Sequence, residues 1–238
     1  MMFAIYKREM RSYFVSPIGY IYLAIFLAVS GLIFSLTTLL MGNASDITAY
    51  FTYMLMSFFV VLPLLTMKLF ADEKKQRTET LLISSPVSIT SMVCAKFFAA
   101  FSVFMIGFVV SLINVIPFFA YASGKPDGQT ILGSLLGLVL IAAAFIAIGV
   151  MVSSLTENQL VAALGTMVII FVFVMISIFN TSIDSYFLRS ILSWISVMDR
   201  YAMLTVGRFD VSAIVYFISL CFSFLFITVR VYEKRRWS

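Results

Sequence analysis

The chain contains no histidine, only two cysteines, and few charged residues, 11% of its 238. Without histidine, neither a Ser/His/Asp nor a Cys/His nucleophile set can be assembled, and no carboxylate cluster suggests a metal site. Cys94 and Cys221 form neither a disulfide framework nor a metal-ligand spacing. The phrase GxxxxGK[ST] is also absent, and its nearest echo, Gly124-Lys125-Pro126, reads as a turn, so the chain does not hold ATP by a P-loop. The expectation is a non-catalytic protein with no cofactor of its own. Segments of alternating apolar and polar residues are missing as well, which argues against a β-barrel.

What is abundant is apolar sequence: 62% hydrophobic residues and a mean hydropathy of +1.08. Six runs are long enough to cross a hydrocarbon core as helices: Ile18–Met41, Ile47–Met67, Phe97–Ala122, Ile131–Val152, Leu160–Asn180 and Val211–Val229. The fold expected is an all-α integral membrane protein forming one transmembrane domain over residues 1–238. The first run is too long for a signal-peptide core and reads as an uncleaved signal anchor. None of the six holds Asp, Glu, Lys or Arg. Proton- or sodium-driven carriers generally need ionisable groups inside the membrane, so that class is disfavoured.

Lys and Arg set the orientation. Lys7, Arg8 and Arg11 precede the first run, and Lys68, Lys74, Lys75, Arg77 and Lys96 lie between the second and third. Arg230, Lys234, Arg235 and Arg236 follow the sixth. With six spans all twelve fall on one side, which the positive-inside rule makes cytoplasmic, together with both termini. The net charge of +5 is explained by basic flanks facing anionic lipid and calls for no nucleic acid.

Four segments carry more than topology. Phe3, Tyr6, Met10, Tyr13 and Phe14 recur at helical spacing opposite Lys7, Arg8 and Arg11, the pattern of an interfacial helix; a plain basic flank is the alternative. Asp72–Ile83 is expected to continue span two out of the membrane until Ser84-Ser85-Pro86 stops it. Ser88 then caps a short helix presenting Ile89, Met92 and Val93. This loop is a candidate docking element for a soluble partner, with Glu73, Arg77, Glu79, Leu82, Ile89 and Met92 as contacts, against a solvated connector as the alternative. Ser153–Gln159 (SSLTENQ) offers helix caps, with Glu157 as a candidate second cytoplasmic contact. Beyond span five, Leu188, Ile191, Leu192, Ile195 and Met198 recur at helical spacing beside Trp194. These suggest helices dipping back toward the bilayer as an outer gate, or merely packing on the spans. Pro63 should kink span two, as a hinge or for packing.

Several phrases resemble those of ABC-2-type permeases, the membrane subunits of ATP-binding-cassette exporters, and most closely the gliding-motility-type subgroup. They are YKREMRSYFVSPIGY (Tyr6–Tyr20), DEKKQRTETLLISSPVS (Asp72–Ser88), Ala95-Lys96-Phe97, SSLTENQ and the closing VRVYEKRRWS. The resemblance implies a coupling helix between spans two and three and re-entrant helices before span six. It also implies two copies of a separate ATPase subunit that binds ATP and Mg, and a second permease, identical or paralogous. An extracytoplasmic auxiliary subunit belongs to the same expectation, as does a bacterial plasma membrane. Many of these permeases carry Gly-Thr where this chain has Arg77-Thr78, so the helix is expected to run through this point. Two functions follow as expectations. One is ATP-driven export of an amphipathic cargo; the other is a mechanical or signalling complex acting on an envelope partner without moving a solute.

Overall fold

Backbone that lies in hydrocarbon must satisfy its own hydrogen bonds, and a chain built from long apolar runs does so by becoming helical. The computed structural model describes residues 2–40, 47–78, 88–117, 128–180, 192–205 and 210–237, and among these there is no strand. The helices are α1 (Met2–Val15), α2 (Pro17–Phe34), α3 (Ile47–Thr66), α4 (Ala71–Lys75), α5 (Ile89–Ser111), α6 (Gly128–Leu155), α7 (Gln159–Asn180), α8 (Val197–Thr205) and α9 (Val211–Trp237). Six helical segments are long and apolar enough to span a membrane: Pro17–Thr37, Thr48–Lys75 (taken across a turn at 67–70), Ile89–Pro117, Gly128–Leu155, Gln159–Ser177 and Val211–Arg236. The chain is a multi-pass membrane protein.

Helix α6 is the hub, packed against α3, α5, α7, α8 and α9. In lipid, helices associate through close packing more than through the hydrophobic effect, which favours small residues at contacts. The composition of α6 follows this rule. A Cβ on Gly133 would lie 2.1 Å from the Leu204 carbonyl oxygen of α8, and one on Gly149 would lie 2.1 Å from Thr66 Oγ1 of α3. On the other flank, Phe26, Phe58 and Phe104 lock α2, α3 and α5 together through edge-to-face contacts of 5.9 and 5.4 Å with Phe104. Between the same helices, Asn114 donates to Ser30 Oγ at 2.9 Å, and that hydroxyl lies 3.0 Å from Tyr50 OH. Asn114 belongs to a 3₁₀ turn, Leu112–Asn114, where Pro117 crowds the carbonyl four residues earlier.

Three local expectations are corrected. Span two does not run on as one helix: α3 ends at Thr66, a turn occupies 67–70, and α4 is a separate five-residue helix. Nor does α4 pass through Arg77. Arg77 N–H donates to Lys74 O at 3.0 Å and Thr78 N–H to Glu73 O at 2.9 Å, with Arg77 at φ 56°. This is the Schellman ending, whose left-handed residue is usually glycine; Arg77 takes that place. Finally, Ser88 does cap a helix, accepting from Ser91 N at 3.4 Å, but that helix is α5 itself, continuous from Ile89 through span three. No separate short helix lies between spans two and three among the described residues, apart from α4 at the end of span two.

Candidate functional site

Helix α1 folds along α5, with Tyr6 OH 2.9 Å from Ser102 Oγ. Its inner face contains the expected Tyr6 and Tyr13, but also Glu9, three residues after Tyr6 and four before Tyr13; both Glu9 and Tyr13 are buried. Tyr13 OH donates to Leu65 O at 3.0 Å, anchoring α1 to the end of α3. Opposite Glu9 on α5 stands Lys96. It is in phase with Met92, Val93, Ala99 and Ala100, so a cation lies on the most buried stripe of the helix, 1% exposed.

Four charged groups meet there in alternating sign. Glu9 Oε1 receives Lys96 Nζ at 3.1 Å and Arg8 Nη2 at 2.7 Å; Glu73 Oε1 receives Lys96 Nζ at 2.9 Å and Arg8 Nη2 at 2.9 Å. The ring is neutral and graded in depth, since the Lys96 side chain is 1% exposed while that of Arg8 is 53% exposed. Lys96 also donates to Leu69 O at 2.7 Å and sits 5.0 Å above the Phe70 ring. Three elements distant in sequence, α1, α4 and α5, are therefore joined through ionic groups. The ring lines an open cleft of about 550 Å³ that also includes Lys68, Asp72 and Gln76.

The electrostatics follow from burial and pairing. Burial opposes ionisation of Glu9, but Lys96 and Arg8 together outweigh it and hold the carboxyl below its ordinary range. Burial likewise opposes the Arg8 cation, and its bonds to Glu9 and Glu73 overcome this and push its pKa up. Two anions sharing two cations can exchange partners without changing net charge.

The other candidate residues are placed as follows. Glu73 turns inward to the ring, Arg77 is exposed, and Ile89 and Met92 are buried against the bundle at 8% and 4% exposure. Glu79 and Leu82 lie outside the described residues. Glu157 is exposed and borders, with Lys75, a shallow recess that also includes Asn158 and Gln159. Of the outer candidates, Leu188 and Ile191 are outside the described residues. Leu192, Trp194 and Ile195 belong to a helical turn over 192–195, and Met198 lies in α8. Trp194 is exposed, and Tyr216 OH of α9 donates to Ile195 O at 2.6 Å. Ser196, rather than any apolar candidate, starts α8 by accepting from Asp199 N at 3.2 Å.

Glu9 and Lys96 are the residues that sequence reasoning misses as a site. The signal is present, because each is a charge in register with an apolar helical stripe. Orientation claims Lys96 as one more cation to count, and acidic residues weigh little in that count, so Glu9 draws no notice.

A family model described as ABC-2 family transporter protein matches residues 41–232. A comparison with curated proteins finds no match.

Proposed function

The chain belongs to the ABC-2 family of transporter proteins, and on that premise we propose that it is the membrane subunit of an ATP-driven exporter in the bacterial plasma membrane. ATP and Mg would be held by a separate ATPase, two copies per complex, and the pathway would form with a second permease, identical or paralogous. An extracytoplasmic subunit is compatible with this assembly. The closer kinship proposed is with the gliding-motility-type permeases.

The observation that carries this reading is the ring of Arg8, Glu9, Glu73 and Lys96. A polar arm with no transmission role could be a solvated connector. Here it is tied by ion pairs to Lys96, two turns into a spanning helix, and to an N-terminal helix. Force applied to the arm would reach the bundle through that tie. The exposed Arg77 and Glu157 are proposed as the surface the ATPase touches, with Glu73 of α4 and the buried Ile89 and Met92 at the start of α5 supporting it from within. The outer turn bearing Leu192, Trp194 and Ile195 is proposed as the external closure.

The six apolar cores carry no fixed charge along most of their length. Burying an unpaired ionic solute among them would cost several kcal/mol. An amphipathic cargo, such as a lipid-linked molecule or hydrophobic peptide, is the substrate class this favours.

The test is reconstitution. The chain alone should hydrolyse no ATP. With its ATPase in inverted vesicles it should drive ATP-dependent accumulation of an amphipathic solute. Hydrolysis by the isolated chain would overturn the reading, and a complex that hydrolyses ATP yet accumulates nothing would favour mechanical work on an envelope partner.

A further inference from the structure

A continuous span two would act as a rigid rod from the docking arm to the membrane, and the break at 67–70 removes that route. A broken helix exposes backbone groups that need partners, and Leu69, Phe70 and Ala71 are buried in the bundle, so other helices must supply them. Two side chains from other helices supply the partners. Lys96 of α5 takes the Leu69 carbonyl, as described above. Ser153, in the last turn of α6 and fully buried, takes three more groups. Its Oγ accepts from Phe70 N at 3.1 Å and Ala71 N at 3.2 Å, and donates to Met67 O at 3.1 Å. A hydroxyl has one proton and two lone pairs, and all three are used. Six residues on, at the start of α7, Gln159 Nε2 donates to Asp72 Oδ1 of α4. The contact of Gly149 with Thr66 brings α6 close enough to the end of α3 for Ser153 to reach the break.

We propose that Ser153 and Gln159 form a splint across the break in span two, so that the arm carrying Glu73 is held by spans four and five rather than by its own helix. Both are positioning residues. The first serine and the final glutamine of the SSLTENQ segment thereby grip the two sides of one discontinuity. The splint itself is a matter of geometry, whereas its role in passing force rests on the exporter reading above.

The neighbouring Ser154 provides the control. It is equally buried, but its hydroxyl donates within its own helix, to Met151 O at 2.6 Å. In the full chain in lipid nanodiscs, Ser153→Ala should speed amide hydrogen exchange at Phe70 and Ala71 at least tenfold, and Ser154→Ala should leave it within twofold of wild type. Gln159→Glu, which sets a second carboxylate beside Asp72, should loosen α4 in the same assay while keeping the bundle folded. Equal exchange in the two serine variants would overturn the splint. With the ATPase present, Ser153→Ala should keep hydrolysis within about twofold and lower solute accumulated per ATP by tenfold or more. Unchanged accumulation per ATP alongside faster exchange would overturn the transmission role. If the wild-type complex accumulates nothing, the exporter reading fails, while the exchange result still decides the splint.

Discussion

Lys96 shows how far a single side chain can be from its ordinary setting. A lysine that is 1% exposed persists because two carboxylates, a carbonyl and an aromatic face surround its ammonium group. Lys96→Met leaves Glu9 and Glu73 with only the half-exposed Arg8. Breaking a buried pair from one side typically costs about 3 kcal/mol. The loss should appear as a lower midpoint for thermal unfolding in detergent, and Lys96→Met combined with Glu73→Leu should recover part of it. Arg77 presents the opposite case, an exposed residue in a backbone conformation that L side chains avoid. Arg77→Gly should stabilise the α4 ending by about 1 kcal/mol. If the guanidinium serves docking, the same variant should bind the ATPase less tightly in co-purification. Higher stability with undiminished binding would remove Arg77 from the docking surface.

At the scale of elements, α1 depends on a titratable contact. The Glu9 carboxyl lies below its ordinary value of 4.5 in the folded chain, so folding is favoured by its ionised form. The sign is therefore that of a depressed acid. Its contribution is present in full above the unfolded value and disappears as pH falls through the lower, folded one. Because Glu73 shares the same cations, the measurement belongs in a Glu73→Gln background. There α1 should stay docked on α5 at about pH 5 and release only below pH 4.5, followed by cross-linking between cysteines placed at Tyr6 and Ser102. Adding Glu9→Gln should abolish that acid-dependent step. Release of α1 well above pH 4.5 would show that the carboxylate does not hold the helix.

For the whole molecule, α6 governs how the spans assemble, and its glycines are the points where another helix comes closest. Gly149→Ala places a methyl group 2.1 Å from Thr66 Oγ1, a separation that forces α3 and α6 apart. Overpacking of this kind costs about 1–3 kcal/mol. The effect should exceed that of Gly31→Ala, where the added methyl meets nothing within 4 Å. Thermal unfolding of the two variants in the same detergent compares them directly. Equal losses would mean that the α3–α6 contact yields easily, which would also weaken the case for Ser153 as a fixed support.

Membrane residence, the number of spans and the family are legible in the chain because lipid solubility is a property of composition over runs of about twenty residues. Such runs need no tertiary partner to be recognised. The cap at Ser88 and the end of α1 near Pro17 are equally local, set by one side chain and by the backbone limits around a proline. The break in span two is not legible, because its apolar and helix-forming residues suit a continuous helix. What makes the break tolerable is a hydroxyl at Ser153 and an ammonium group at Lys96, each brought in by another helix. The charged ring is hidden for the same reason. Glu9 and Lys96 are 87 positions apart, and as isolated residues one is a minor acid and the other a topology signal. Only when packing excludes water from both does each become the other's necessary partner, since the cost of burying a charge is set by its neighbours in space.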